Sequence, residues 1–311
     1  MPAITNPNLQ FREDLTNFAF GIMPDYMKVL AEAKRIAPIV PTGALAGRYA
    51  QFNAQAGFVA PKTKRAIGGV TAEAKVAATM VDFVLDPNAI KISIDQEIEV
   101  PLAGQNLAIV EESKTQTMLA QGTNSFGQGV YSALLAAVTA AANWGKWSDE
   151  GVDPIDELDQ AGLAIAAATG IYPNICDITP PALRLLRSNP NTRKRFVGVA
   201  APIPLDAIAG CFSFPCQMKV LTGMGLVGGG FGNNNATFSP LLGTAAWMYY
   251  SNPLATGENP SFAATLSMTR DLISGVYEYL SEDGTVKYLR VKWACKTVIQ
   301  STALAQRIDV K

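Results

Sequence analysis

The stretch that decides the fold is residues 104–147, GQNLAIVEESKTQTMLAQGTNSFGQGVYSALLAAVTAAANWGKW. Its second half, residues 130–143, is rich in alanine, the best helix former, and Leu134, Leu135 and Val138 share one face. In the first half Leu107, Val110, Met118 and Leu119 recur at helical spacings, with Glu111, Glu112 and Lys114 on the other side. The pattern predicts one long helix, or two nearly collinear ones with a break at the glycines between 122 and 129. One small neighbour cannot cover such an element, so something extended packs along it.

Upstream, residues 90–100 (IKISIDQEIEV) alternate Ile90, Ile92 and Ile94 with Lys91, Ser93 and Asp95, the mark of a half-buried strand. Residues 48–58 and 76–85 read as two strands of a long ribbon. Its tip, residues 59–73, carries Pro61, Lys62, Lys64, Arg65, Gly68 and Gly69. A two-stranded ribbon is marginal alone in water, so it is expected to lie on a neighbour, with Phe52, Phe58, Lys62, Lys64 and Arg65 as candidate contacts between subunits. Residues 1–45 are broken by five prolines. They read as an extended arm without a core of its own, apart from a short helix at 26–35.

Downstream, Asp153-Pro154 opens a helix that Gly170 ends. A short strand at 175–178 follows, then a helix capped by Thr179 and stopped by Asn189-Pro190. A short helix at 205–209 and a strand at 217–221 complete an α/β unit over 150–240. Strands return at 242–250, 262–269, 276–280 and 286–291, the last two turning at Asp283-Gly284, with a final strand at 292–301.

Composition narrows the function. The 311 residues are 49% apolar and only 16% charged, which provides a large core and a weakly charged surface suited to contact with copies of itself. The net charge of −1 leaves no global basic field for nucleic acid, although a local basic face stays open. There is no histidine, so Ser–His and Cys–His pairs and histidine-ligated metals are absent. Cys176, Cys211, Cys216 and Cys295 lack a tight metal spacing and read as small buried thiols. The opening residues lack the pattern of a signal peptide. No apolar run approaches the ~20 residues of a membrane span. The expectation is a soluble cytosolic product and not an enzyme.

One motif points elsewhere. Residues 223–228, GMGLVG, match a dinucleotide-binding pattern, which requires a helix N-terminus after the glycines. Residues 229–235 (GGFGNNN) cannot start one, so the expectation is a glycine–asparagine loop at the edge of the α/β unit, and no cofactor.

The order of elements then carries a resemblance. Trp147-Ser148-Asp149 before Asp153-Pro154, Thr169-Gly170 with Pro173-Asn174, and Pro181 through Leu185-Leu186 to Asn189-Pro190 resemble the major capsid protein of tailed bacteriophages, as do residues 241–250 and 253–262. Its fold is named after phage Hong Kong 97. The resemblance implies an α+β chain: an N-arm (1–45), an E-loop hairpin (46–86), a peripheral domain with a long spine helix (87–146 and 240–311) and an α/β axial domain (147–239). It implies a shell built from pentamers and hexamers of this chain around double-stranded DNA, located in the virion and assembled in the host bacterial cytoplasm. Implied partners are a separate scaffolding protein, a portal and a decoration protein; no membrane is involved. Gly228, Phe231 and Asn233 would sit in a loop near a capsomer axis, and Gly68, Gly69, Gly127 and Gly129 would be hinges. The Lys–Asn–Glu crosslink of the type member is not carried over, because no Asn and Glu align with Lys62 or Lys64. An encapsulin-type compartment is the alternative, and a dinucleotide-dependent enzyme the remote one.

Overall fold

The structure is a computed structural model. It describes residues 9–26, 28–52, 78–95, 107–198, 202–228, 237–253, 259–270, 272–273 and 275–311. Among these, no helix is long and apolar enough to cross a membrane.

The helix predicted from residues 104–147 is α3 (Leu107–Ala137), preceded by α1 (Glu13–Tyr26) and α2 (Lys28–Ile36). It is unbroken over 31 residues, although each interior glycine costs about 1 kcal/mol of helix propensity. Two glycines have a packing reason. A Cβ on Gly127 would lie 2.4 Å from Cγ1 of Val29 on α2, and one on Gly122 would lie 3.3 Å from the Trp293 ring. The helix is therefore pressed from both sides. It stops at Ala137, short of the predicted Asn143, because Ala140 bridges to Arg307 and the Ala141 N–H donates to the Arg307 carbonyl. Tertiary pairing overrides alanine propensity there.

The leading segment departs from expectation. It is not an extended arm without a core: α1 and α2 pack along α3, burying Leu15, Ala19, Leu30, Ala33 and Ile36 in the main core. The signal was present in Glu13 and Asp14, acidic residues in a first turn ahead of Leu15 and Ala19 at i, i+4 spacing.

The other side of α3 is a sheet centred on β13 (Val286–Ile299), one 14-residue strand where two were predicted. Along one edge it pairs with β5 (Asp86–Asp95). Along the other it pairs first with β12 (Val276–Leu280), then with β11 (Ala263–Ser267). The sheet is extended by β1 (Gln10–Phe11) beside β12 and by β2 (Ile39–Pro41) beside β11. Leu289, Val291 and Trp293 point at α3 and are buried, as the alternation demands.

The α/β unit follows the predicted capping chemistry with one exception. Asp153 caps α4 (Pro154–Thr169) by accepting from the Ile155 N–H at 3.1 Å, and Gly170 ends it at φ 79°. Thr179 sits at the N-cap of α5 (Pro180–Ser188), but its hydroxyl bonds Ala245 of a strand instead. Asn189 ends α5 and caps α6 (Pro190–Arg195), which was not predicted. Its buried amide donates to the carbonyls of Trp147, Asp149 and Val152. After α7 (Leu205–Ala209), the strands β6 (Ile175–Ile178), β7 (Gln217–Val220), β10 (Ala245–Tyr249) and β14 (Ala305–Asp309) form a four-stranded sheet, ordered β14-β10-β6-β7. β14 was also unpredicted. This sheet draws two strands from either side of residue 240, so the boundary drawn there passes through shared hydrogen bonding.

Two buried carboxylates stitch the layers together. Asp177 on β6 accepts from Arg35 of α2 and from the Tyr249 hydroxyl, each at 2.6 Å. Burial pushes its carboxyl above the ordinary value, and Arg35 offsets part of that shift. Glu32 on α2 accepts from the backbone N–H groups of Thr222 and Gly223 and from the hydroxyls of Thr222 and Tyr131.

The packing account of α3 separates two glycines. Gly127→Ala forces a stiff β-branched neighbour aside, and the overpacking penalty of ~1–3 kcal/mol exceeds the propensity gain of ~1 kcal/mol. Gly129 meets nothing within 4 Å, so Gly129→Ala is neutral or stabilising. Urea denaturation of the two variants should move the midpoint down for the first and not for the second.

Candidate assembly surfaces

The ribbon is formed by β3 (Ala46–Phe52) and β4 (Ala78–Val84), registered from Ala46↔Val84 to Phe52↔Ala78. Its base is anchored to the chain's own sheet. Phe83 and Leu85 pack on Ala264, Leu266 and Val298, and the Phe52 N–H donates to the Gln300 carbonyl at 2.8 Å. Phe52, one of the expected contacts between subunits, is buried in the single chain, on the ribbon face opposite Phe83. On and beside the ribbon, Leu45, Met80 and Val84 are each more than half exposed. Arg48 and Asp82 pair across the strands, but both are exposed, so the pair adds less than about 1 kcal/mol. Phe58, Lys62, Lys64, Arg65, Gly68 and Gly69 lie outside the described residues.

A charge cluster pins the start of the chain to the spine. Arg12 contacts Asp14, Glu111 of α3 and Glu278 of β12, while Lys287 of β13 contacts Glu111 and Glu278. Nothing in residue spacing joins these positions. Burial works against ionisation of Glu111, yet the hydrogen bonds from Arg12 and Lys287 outweigh it and hold its carboxyl below the ordinary range. The Arg12 hydrogen bond likewise holds exposed Asp14 down at about 2.

The GMGLVG motif is strand, not loop. β8 (Met224–Gly228) pairs with β9 (Thr237–Pro240), and no helix N-terminus follows the glycines among the described residues. Gly225 and Gly228 therefore lie in a paired strand, where the motif calls for a turn into a helix. Gly228 ends β8; Phe231 and Asn233 lie outside the described residues. Gly127 and Gly129 lie within continuous α3, where the structure gives Gly127 a packing role; a hinge at either is a proposal. The four cysteines are free, and burial pushes the thiols of Cys176, Cys216 and Cys295 up, the last two to about 12 and about 11. No cluster able to hold a metal ion occurs among the described residues.

Solved structures place this arrangement. A phage-related protein from Bordetella bronchiseptica RB50 superposes with a TM-score of 0.71 at 18% identity, over 96% of this chain and 97% of that one. The fold is that of tailed-phage capsid proteins, the Hong Kong 97 type. The putative capsid protein of an Escherichia coli CFT073 prophage matches with a TM-score of 0.53 at 11% identity, over 95% and 99% of the two chains. A virus-like particle from Pyrococcus furiosus matches with a TM-score of 0.56 at 10% identity, over 96% and 98%. No protein-family model and no curated protein matches the chain.

The Glu111 cluster has a defined pH sign. Its folded carboxyl is depressed, so its contribution is complete above the unfolded value near pH 4.3 and is lost as pH falls through the folded value. Glu111→Gln should lower stability at pH 7 by ~3 kcal/mol, because Arg12 and Lys287 lose a shared buried partner. Chemical denaturation between pH 7 and pH 3 should show a smaller acid loss in the variant than in the native chain.

Proposed function

We propose that this chain is a major capsid protein, which closes through pentamers and hexamers into the icosahedral head around a double-stranded DNA phage genome. The observation that carries the reading is the match to a phage-related protein and to a putative prophage capsid protein over nearly the whole length of each pair of chains. The mechanism is geometric. Heterologous contacts close into rings, and rings into a shell; each contact is modest, but every subunit makes several.

In this reading the pieces keep their family names: N-arm 1–45, E-loop 46–86, peripheral domain 87–146 and 240–311, axial domain 147–239. The exposed apolar residues of the ribbon, Leu45, Met80 and Val84, cover a neighbour, and Lys62, Lys64 and Arg65 extend that contact. A separate scaffolding protein, a portal and a decoration protein complete the particle, which assembles in the host cytoplasm. The match to a virus-like particle favours a second reading, an encapsulin-type compartment that encloses protein.

Electron microscopy of the purified chain, with nuclease-protection and protein analysis of the contents, tests both. Closed shells holding double-stranded DNA when produced in an infected or induced host support the capsid. Shells holding a protein cargo support the compartment, and a monomer that forms no shell removes both.

A further inference from the structure

The face of the β13 sheet turned away from α3 carries a groove of about 490 Å³. The register places Tyr277, Arg290, Lys292 and Ala89 on that face, opposite the core-directed Leu289, Val291 and Trp293. Leu45, Met268 and Leu272 supply an apolar wall. Three features set the groove apart from ordinary surface. Arg290 is half-buried and has no hydrogen-bond or ion-pair partner among the described residues, an unfavourable state for a guanidinium removed from water. The Thr269 hydroxyl oxygen is buried without a partner. Leu272 is held at φ 67°, a left-handed conformation that a branched apolar residue rarely adopts. The described lining residues include two cations and no acid.

The chain also carries a complementary feature. The end of β12 exposes Leu280 (45%), and the turn after it carries Glu282, an exposed carboxylate with no partner among the described residues. An apolar side chain beside a free carboxylate is what an apolar groove with an unpaired Arg290 would accept. The turn cannot reach its own groove. Leu280 is paired to Lys287 at the end of the same hairpin whose Tyr277↔Arg290 pair lines the groove, ~10 Å back along a registered ladder.

We propose that the groove receives the 280–285 turn of a second copy of this chain, with Leu280 on the apolar wall and the Glu282 carboxylate accepting from Arg290. The inference rests on the shell reading and deepens it: it names one heterologous contact, turn to groove, of the kind that propagates around a ring or lattice rather than closing on itself as a dimer.

Charge exchange in the full chain tests it, with self-association read by sedimentation and shells by electron microscopy. Glu282→Arg and Arg290→Glu should each raise the concentration for half-assembly by about tenfold or more, since the contact is repeated in every subunit. The double variant should return it to near the native value. Leu280→Ser, on an exposed turn, should reproduce the loss even where Arg290→Glu perturbs folding, which circular dichroism reports. Single variants that assemble like the native chain, or a double variant no better than the worse single, overturn the contact and leave the shell reading intact. A native chain that remains monomeric overturns the shell reading and this contact with it.

Discussion

One long helix has to be covered on two sides, and the rest of the chain is arranged to do so. Over 31 residues α3 presents Met118, Leu119, Phe126, Val130, Tyr131 and Leu134 to its surroundings, all buried. No single element of this chain is wide enough to enclose it. The α1–α2 pair takes one side and the β13 sheet the other, and the two glycines at the closest approaches show how tightly both are drawn in. Both sides of the helix are therefore occupied by the chain's own elements.

That arrangement changes which parts of the molecule are left incomplete. The leading segment is integral to the core: Leu15, Leu30 and Ile36 are buried, Arg12 is tied to the start of α3, and Glu32 and Arg35 reach into the α/β unit. The ribbon is different. Its base is sealed by Phe83 and Leu85, yet Leu45, Met80 and Val84 face water. Surface apolar residues gathered on one projecting element mark a place for a partner. In the proposed shell, subunit contact would therefore draw on the ribbon and the outer sheet face more than on the described start of the chain.

The parts legible in the sequence are those governed by local chemistry. The spine was visible in helical periodicity, α4 in Asp153-Pro154 and Gly170, and β5 in alternating isoleucines. The parts that were missed depend on distant partners. Residues 138–143 look helical and are not, because Arg307 captures their backbone; β14 looks like a tail and is a strand, because β10 offers it an edge. Thr179 has the right identity for a cap and spends its hydroxyl on Ala245 instead. GMGLVG satisfies a spacing rule, yet Gly225 and Gly228 lie in a strand that β9 pairs. As for assembly surfaces, Phe52 illustrates the limit: an aromatic residue on a ribbon reads the same in sequence whether its own chain or a neighbour covers it.

The polar groups divide along the same line. Glu32, Asp177 and Glu111 are buried and supplied with donors, so each strengthens the isolated chain and has little left for another molecule. Arg290 and Glu282 are left over on the outer face and at a hairpin tip, with no partner among the described residues. In a chain with only 16% charged residues, unused charge of opposite sign at two places that cannot meet within one molecule is a constraint on how molecules meet. Buried pairs fix the subunit's shape, and in the proposed contact the unpaired residues would select which edges of neighbouring subunits fit together.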